Sequence, residues 1–285
     1  MAGSAGAVRG GVERFGAAAA GVTRHVRAMS CLLDYWWVVH RRTWRGTVVN
    51  SFLSPLLNLI AMGALLGRYV DAGRPDLQGA PSYLAFVAPG ILCAHLMQCA
   101  TGDALWPVYG RVKWSRVYES MIATPVRVVD VVAAHLVFIV CRVGVSAVVF
   151  MMVLIPCGVY VGAWGAMVAF GVQVLLILAF AAPFFAMAVS ASSDSLFTLV
   201  LRLVVAPLML LSGVFFPVSN LPVPLQVLSW CSPLFHGVEV TRALVLTPLN
   251  DVDWLMAAGH VGYLSVWALV GSWWSVRRMQ RRLIA

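Results

Sequence analysis

The chain has 285 residues, of which 61% are hydrophobic and only 11% are charged, and its mean hydropathy is +0.88. Soluble proteins carry about a quarter charged residues, so this composition excludes an ordinary soluble domain and predicts a polytopic membrane protein. The net charge of +9 is explained by basic residues that flank membrane spans and contact anionic lipid, without any need for nucleic acid.

The N-terminal region divides into a tail and an amphipathic helix. Residues 1–23 are rich in alanine and glycine and lack the apolar core of a signal peptide, so we expect a disordered cytoplasmic tail. Residues 24–46 have helical periodicity, and tryptophan beside a basic face favours a helix that lies flat in the lipid headgroup layer. A soluble helix preceding the membrane domain would give the same pattern. The apolar stripe is Met29, Leu32, Leu33, Trp36 and Trp37, and the opposite stripe is Arg24, Arg27, Asp34, Arg41 and Arg45.

Six apolar runs follow, each near or above the roughly 20 residues that cross a bilayer. The first is softened by Asn50, Ser54, Pro55 and Asn58, which suits close helix packing or a polar pathway. The sequence therefore predicts an all-α integral membrane protein with six transmembrane helices. The predicted spans are 48–66, 83–106, 128–155, 164–188, 196–216 and 254–274.

The distribution of Lys and Arg predicts the orientation. With a cytoplasmic N-terminus, seven basic residues precede span one, four lie between spans two and three and four follow span six, whereas the outer loops hold only Arg68, Arg74 and Arg242. Because basic residues accumulate on the cytoplasmic side, we expect both termini in the cytoplasm and the chain in the cell membrane. The tail residues are Arg277, Arg278, Arg281 and Arg282.

A second amphipathic helix is predicted over residues 107–124, between spans two and three. Apolar residues recur there at helical spacing, and Pro125 ends the helix because proline disfavours a helical preceding residue. Such a helix would lie at the cytoplasmic surface with one face free to contact a partner. A basic loop that only fixes topology would fit equally well. The apolar face is Trp114, Val117, Tyr118, Met121 and Ile122, and the polar side carries Lys113, Arg116, Glu119 and Ser120.

The segment between spans five and six, residues 212–253, is apolar but broken by four prolines. A continuous helix cannot cross it, so we predict two short helices over 221–230 and 233–246, with Ser232 as the N-cap of the second. They would dip into the outer leaflet and return, which requires protein or a polar cavity around them. An exposed surface loop is the alternative. The prolines are Pro217, Pro222, Pro224 and Pro233.

Several ionisable residues lie at membrane depth, where lipid exposure is costly. They either contact substrate or pair with one another inside the protein. The structural interpretation is favoured for Asp103 and Asp130, near the cytoplasmic surface, and the two interpretations are level for Arg142, for which a neighbouring carboxylate is the expected partner. The set is His95, Asp103, Asp130, His135, Arg142 and Arg202.

Motifs for chemistry are absent from the sequence. It contains no GxxxxGK[ST] phosphate loop, no HExxH and no GxSxG, and its six cysteines show no metal-binding spacing. Cys157 and Cys231 could both lie outside and form a disulfide. If the chain takes part in active transport, the energy must come from a partner protein or an ion gradient.

Three stretches carry a resemblance to a known family. They are VYESMIATPVRVVDVVAAHL (117–136), SGVFFPVSNLP (212–222) and SPLFHGVEVTRAL (232–244). Together with the order of elements, they resemble the type-2 ABC exporter permeases, in the nodulation protein J (lipo-oligosaccharide exporter) branch, near the daunorubicin-type drug exporters. The resemblance covers about residues 24–280 and implies a single permease domain there, followed by a cytoplasmic tail over 281–285.

The resemblance implies roles for particular residues. Residues 107–124 would be the coupling helix that binds a groove of a separate ATPase subunit, with Glu119 of the E-x-x-x-T-P pattern as a central contact, and residues 24–46 would be the connecting helix. His135 departs from the carboxylate expected at its position. The coupling residues would be Trp114, Val117, Tyr118, Glu119, Met121, Thr124 and Pro125. The connecting helix would use Trp36, Trp37, Arg41 and Arg45, and the substrate pathway or gate Ser54, Asn58, Arg142, Phe215, Phe216 and Pro217.

The implied function is transport by alternating access. Two permease chains, identical or paralogous, would pair with two ATPase subunits, which would hold ATP and Mg²⁺, so that this chain needs no cofactor and catalyses no reaction. An amphipathic or lipid-linked substrate would leave the inner leaflet and be released outside. The alternatives are an ion-coupled secondary transporter, which would show inverted repeats, and a membrane enzyme that modifies lipids, which would need a cluster of catalytic carboxylates or histidines.

Overall fold

In the computed structural model, the described residues are 30–42, 53, 56–61, 67, 70, 77 and 79–284. All regular secondary structure in these ranges is helical. Three predicted regions lie outside the described residues: the tail over 1–23, both ends of the connecting helix, with Arg45, and most of the first span, with Ser54.

Nine helices are named here in chain order. Several of them begin where the sequence supplies an N-cap or a proline: the Ser82 Oγ accepts a hydrogen bond from the Ala85 amide at 3.2 Å, and Asp253 caps the last helix. The helices are α1 (30–42), α2 (Tyr83–Lys113), α3 (Val117–Ile122), α4 (Val128–Leu154), α5 (Ala163–Ser190), α6 (Ser195–Leu211), α7 (Val223–Trp230), α8 (Pro233–Leu246) and α9 (Trp254–Leu283).

Four of these helices are long and apolar enough to cross a membrane. They are α2, α4 with its 3₁₀ extension to Cys157, α5 and α9, at the positions predicted for spans two, three, four and six. The fifth predicted span, 196–216, is corrected by the structure. Its helix, α6, contains a π-helical turn over Leu201–Val205 and ends at Leu211, because the chain turns at Gly213, whose φ of 74° is a left-handed conformation that favours glycine.

Helix α5 is the centre of the bundle and contacts α2, α4, α8 and α9. Its crossing with α8 is close because Gly165 has no side chain: a Cβ there would overlap the Leu244 carbonyl oxygen. At one end of the bundle, the Lys113 ammonium donates to the Ser192 carbonyl, and the Arg282 Nη1 donates to the Val189 carbonyl at 2.9 Å. We call this end of the bundle the basic end. The opposite end, where α8 packs, is called the lid end, after the segment of residues 212–246 that covers it.

The predicted helix over 107–124 is wrong as a single element. Residues up to Lys113 continue α2 through Pro107, and only Val117–Ile122 form the separate helix α3. The second predicted helix of the 212–253 segment is confirmed over Pro233–Leu246, and the first begins slightly later, at Val223. Cys157 and Cys231 are both free thiols, so the disulfide considered from sequence is not formed.

Candidate functional site

The junction between α2 and α3 has an unusual backbone conformation. Arg116 has φ 47° and ψ 31°, and among the described residues it is the one non-glycine residue with positive φ. This left-handed conformation costs about 1–2 kcal/mol for a residue with a Cβ. Such strain is often found at functional sites, and here it redirects the chain from the end of α2 into α3.

Helix α3 has one side packed on its own chain and one side exposed. Tyr118 is 1% exposed, so its predicted role as a docking contact is wrong for this conformation: its ring faces the bundle. Glu119 and Ser120 are exposed, and Val117 and Met121 are half-buried. Trp114, which precedes α3, is 72% exposed, and the predicted contacts Thr124 and Pro125 are also exposed.

Tyr118 belongs to a group of packed rings and one guanidinium at the basic end, which we call the ring cluster: Trp36, Arg111, Tyr118, His135 and Phe185. The Tyr118 hydroxyl lies 2.5 Å from His135 Nδ1, and the His135 ring is stacked on Trp36 with centroids 4.1 Å apart. The Phe185 ring meets His135 edge-on at 5.4 Å. Burial raises the pKa of Tyr118 well above its ordinary value, so the hydroxyl stays protonated and donates to the imidazole.

Trp36 joins the connecting helix to this cluster. It is completely buried, and the Arg111 guanidinium lies 4.4 Å above its ring, a cation–π contact. Helix formation over 30–42 is therefore confirmed, and two residues of the predicted apolar stripe, Leu32 and Trp36, are buried. Trp37 and Arg41 are exposed and point away from the bundle.

One predicted pathway residue, Arg142, has a carboxylate partner. Its Nη1 lies 3.3 Å from Asp103 Oδ1, and both side chains are about three-quarters or more buried. With a rise of about 1.5 Å per residue, Arg142 lies roughly 21 Å along α4 from its start, so the pair is near the middle of the bundle. The pair confirms the structural interpretation that the sequence favoured for Asp103, and it is one of the two interpretations that were left open for Arg142. Asn58 is exposed.

The predicted gate residues lie in a turn at the lid end, between α6 and α7. The Phe215 carbonyl accepts from the Tyr83 hydroxyl at 3.1 Å, Phe215 and Phe216 are half-buried, and Pro217 is buried. The turn sits directly on α2, since a Cβ at Gly90 would lie 2.7 Å from the Val214 carbonyl oxygen. We call residues 212–246, which comprise this turn, α7 and α8, the lid.

Arg242 on α8 ties the lid to α2. Its Nε donates to the Phe86 carbonyl at 3.3 Å, Nη2 donates to the Gly213 carbonyl at 2.7 Å, and Nη1 pairs with Glu239 at 2.9 Å. The guanidinium also lies 3.9 Å above the Phe86 ring and is 4% exposed. The Ser232 Oγ accepts from the Leu234 and Phe235 amides, which confirms the predicted cap.

Two of these arrangements were missed by reasoning from sequence. Arg242 was expected in an outer loop, and His135 was named only as one of the ionisable residues at membrane depth and as a departure from a family pattern. A signal was available for Arg242, because a single arginine within an apolar stretch must have partners when it is buried. None was available for the stacking of Trp36 on His135, which are distant in sequence. In the described part of the chain, no three His, Cys, Asp or Glu side chains converge as metal ligands.

Comparisons with known proteins agree with this architecture. The family model described as ABC-2 type transporter matches residues 28–246. Nodulation protein J of Rhizobium leguminosarum bv. trifolii is 30% identical over 257 residues, which cover 87% of this chain and 94% of the relative. Nodulation protein J of Sinorhizobium fredii is 31% identical over 260 residues, 88% and 94% of the two chains. The inner membrane transport permease YadH of Escherichia coli is 27% identical over 248 residues, 81% and 91% of the two chains. The chain therefore belongs to the ABC-2 type transporter family, as a multi-pass membrane subunit of an ABC transporter.

Proposed function

We propose that this chain is the permease of an exporter driven by a separate ATPase subunit. It would move an amphipathic or lipid-linked substrate, such as a lipid, a lipo-oligosaccharide or a hydrophobic drug, from the inner leaflet or cytoplasmic side to the outside. The family implies coupling to an ATP-binding subunit, which would hold ATP and Mg²⁺. The family also favours this function over a secondary transporter or a lipid-modifying enzyme.

The observation that carries the proposal is the division of α3 into two faces. Tyr118 packs into the ring cluster, while Glu119 and Ser120 face outward beside the exposed Trp114. An exposed tryptophan next to a carboxylate is a reasonable anchor for a partner's groove, because tryptophan is enriched at binding hot spots. We therefore assign ATPase docking to the outward face of α3, with Trp114 and Glu119 as its main contacts.

The inward face of α3 supplies a route for the movement. Tyr118 contacts His135 on α4, and His135 in turn contacts Trp36 on α1 and Phe185 on α5. A displacement of α3 by the ATPase would therefore act on the connecting helix and on two membrane-spanning helices at once. The strained conformation of Arg116 gives α3 a separate hinge at its junction with α2.

The remaining parts of the proposal concern the second chain and the pathway. Apolar side chains are exposed along α6 and α9, including Leu203 and Leu269, and these surfaces would face lipid or a second permease. The substrate would pass between two permeases, and the turn at Phe215, Phe216 and Pro217 would gate its release. The basic end, which carries Lys113 and Arg282, would lie in the cytoplasm, as the positive-inside rule favours.

The test is charge reversal on the outward face of α3. Glu119→Arg should leave the permease folded, since this side chain is exposed, and should weaken binding of the ATPase by about 2–5 kcal/mol if Glu119 pairs with a buried cation in the groove. The measurements are co-purification with the partner ATPase subunit and ATP-dependent uptake into inverted vesicles. Asp251→Arg, an exposed residue at the lid end, makes the same charge change and is the control.

The outcomes separate the alternatives. Loss of co-purification and of transport in Glu119→Arg alone would support docking at α3. If both variants bind the ATPase and transport normally, α3 is not the coupling element. If α3 only rests on lipid headgroups, the charge change should alter binding by no more than about 1 kcal/mol, the range for exposed charges.

A further inference from the structure

Arg202 on α6 is an arginine at membrane depth to which the transport proposal gives no role. Near the basic end, Phe197 of α6 meets the Tyr109 ring of α2 edge-on, with centroids 5.2 Å apart. Towards the lid end, the Gln98 Nε2 of α2 donates to the Met209 Sδ of α6 at 2.9 Å. Helix α6 therefore runs alongside α2 in the opposite direction. Arg202 lies between the two contacts, near the level of the ion pair between α2 and α4.

The Arg202 side chain is exposed on an otherwise apolar side of α6. Leu199 and Leu210, which lie before and after the arginine on this side, are each 52% exposed. Among the residues that the structure describes, none forms a hydrogen bond or an ion pair with Arg202. Because a charged side chain that faces hydrocarbon is costly, we expect a counter-charge on this surface.

Neither its own chain nor a second copy supplies that counter-charge within the membrane. The six predicted spans contain two carboxylates, Asp103 and Asp130. Asp103 pairs with Arg142, whereas Asp130 is buried and accepts from the Arg127 amide at the start of α4 at 3.4 Å. A second copy would bring the same two carboxylates, engaged in the same way. The spans therefore hold an excess positive charge at Arg202, which only an anion from outside the chain can balance.

The position of Arg202 distinguishes this anion from an ordinary lipid headgroup. Arg202 lies seven residues after Ser195, at the start of α6, which is about 10 Å from the basic end of the helix. Its Cα–Cβ bond tilts towards the N-terminus of the helix, so the side chain starts out towards the basic end. Beyond Leu211, the chain turns at Gly213 and enters the gate turn. Helix α6 thus connects the basic end to the gate, with its one cation between them.

We propose that Arg202 binds the anionic group of the exported amphiphile between the basic end and the gate, so that the substrate carries a phosphate, sulfate or carboxylate. This inference rests on the proposed function and adds the charge of the substrate to it. The planar guanidinium suits these groups because its donors match two oxygen atoms at once. The apolar residues on either side of Arg202 would contact the hydrocarbon part of the same molecule.

The first experiment is photolabelling of the full-length chain in phosphatidylcholine nanodiscs. Two probes carry the same alkyl chain with a diazirine, and one ends in a phosphate monoester whereas the other ends in neutral maltoside. Labelled positions over residues 195–211 are read by peptide mass spectrometry. We expect the phosphate probe to label α6 about tenfold more than the maltoside does, a preference that corresponds to about 1.4 kcal/mol.

Three variants separate recognition of the charge from a structural role. Arg202→Gln should lower labelling by the phosphate probe to the level of the maltoside and leave labelling by the maltoside unchanged. Arg202→Lys should keep most of the preference, because it keeps the positive charge. Arg278→Gln, which removes an exposed arginine of α9 at the basic end, is the matched control and should leave the labelling of α6 unchanged.

A second arm tests whether the anion is the substrate or a resident lipid. In the complex with the partner ATPase subunit, the phosphate amphiphile should raise ATP hydrolysis and the maltoside should not, and Arg202→Gln should remove the stimulation. If labelling is charge-selective but hydrolysis is not stimulated, Arg202 holds a resident anionic lipid and the substrate assignment is overturned. If no ATPase binds the permease, the proposed function fails, whereas charge-selective labelling still supports the anion site.

Two labelling results would overturn the proposal directly. One is the absence of a preference for the phosphate probe in the unmodified chain, or a preference that survives Arg202→Gln. The other is the absence of label on α6 from both probes, together with a disulfide between two chains that carry Leu210→Cys in a cysteine-free background. That result would show that a second permease covers this surface.

Discussion

At each end of α2, an arginine guanidinium lies over an aromatic ring, but the two arginines differ in their hydrogen-bond partners. At the lid end, Arg242 lies over Phe86 and makes polar contacts with two backbone carbonyls and a carboxylate. At the basic end, Arg111 lies over Trp36, and its Nη1 is buried without a hydrogen-bond partner among the described residues. Directional contacts to backbone allow one position, whereas stacked rings can slide. The comparison indicates that directional contacts fix the lid, whereas the basic end is more adjustable.

Removing the lid arginine should give the largest effect. Arg242→Ala leaves the Phe86 and Gly213 carbonyls and the Glu239 carboxylate without their cation, and breaking a buried ion pair costs about 3–5 kcal/mol. We expect a large loss of thermal stability in detergent. Arg278→Ala, which removes an exposed arginine stacked 5.7 Å from Trp274, is the matched control and should change little. Equal losses in the two variants would contradict a lid fixed by Arg242.

A smaller effect is expected within the ring cluster. Tyr118→Phe removes the hydroxyl that contacts His135 and leaves a buried ring nitrogen without that donor, at a cost of about 1–3 kcal/mol. His135→Phe should cost a similar amount, and the double variant should cost less than the sum of the two. A thermal-unfolding double-mutant cycle measures this coupling. Strict additivity would show that the 2.5 Å contact has no energetic role.

Relief of strain at the hinge should act in the opposite direction. Arg116→Gly places a residue that tolerates positive φ where arginine has φ 47°. The substitution should remove part of the strain of about 1–2 kcal/mol and so stabilise the folded state. The greater conformational entropy of glycine in the unfolded chain acts in the opposite direction. We expect unchanged or slightly raised thermal stability but weaker coupling of ATP hydrolysis to transport. Arg127→Gly, an exposed residue with ordinary extended φ, should lower stability. A destabilised Arg116→Gly protein would contradict strain at this junction.

The smallest effect should be a pH dependence of the lid. The Nδ1 atoms of His236 on α8 and His260 on α9 lie 2.5 Å apart, and His236 Nε2 lies 2.9 Å from the Trp230 carbonyl. The pKa of His236 is lowered, mainly by burial and to a smaller extent by His260. The Trp230 carbonyl and the Glu239 carboxylate oppose this shift.

The folded state favours the neutral His236 ring, so the protein has its full stability above the ordinary histidine pKa of about 6.5. Stability is lost as the pH falls below that value, because the unfolded state then binds the proton more readily than the folded state does. Thermal stability should therefore fall on acidification, and the slope should be smaller in His236→Gln. An identical slope in both proteins would exclude this histidine as the source.

The elements were predictable where local signals decide them. Four spans followed from hydropathy, and α8 followed from Ser232 and Pro233, which set its first turn. The direction of Tyr118 was predicted wrongly because helical periodicity was carried across residues 114–121 as one helix. The left-handed Arg116 interrupts that helix and shifts the phase of the residues after it. The partners of Arg242 were out of reach for a related reason: Phe86 is 156 positions away, and no local pattern encodes such a contact.

Helix α2 has 31 residues and is therefore about 46 Å long. It reaches from Phe86 beneath the lid to Arg111 beside the connecting helix, and between these ends its Asp103 pairs with Arg142 of α4. Asp103 lies 20 residues from the start of α2 and 10 residues from its end, or about 30 Å and about 15 Å. A tilt of about 10° around this point would therefore move the lid end of α2 by roughly 5 Å and the basic end by roughly 3 Å in the opposite direction. A displacement of the ring cluster at the basic end would then move the lid end of α2 in the opposite direction. Because Arg242 binds α2 through directional contacts, α8 would move with it.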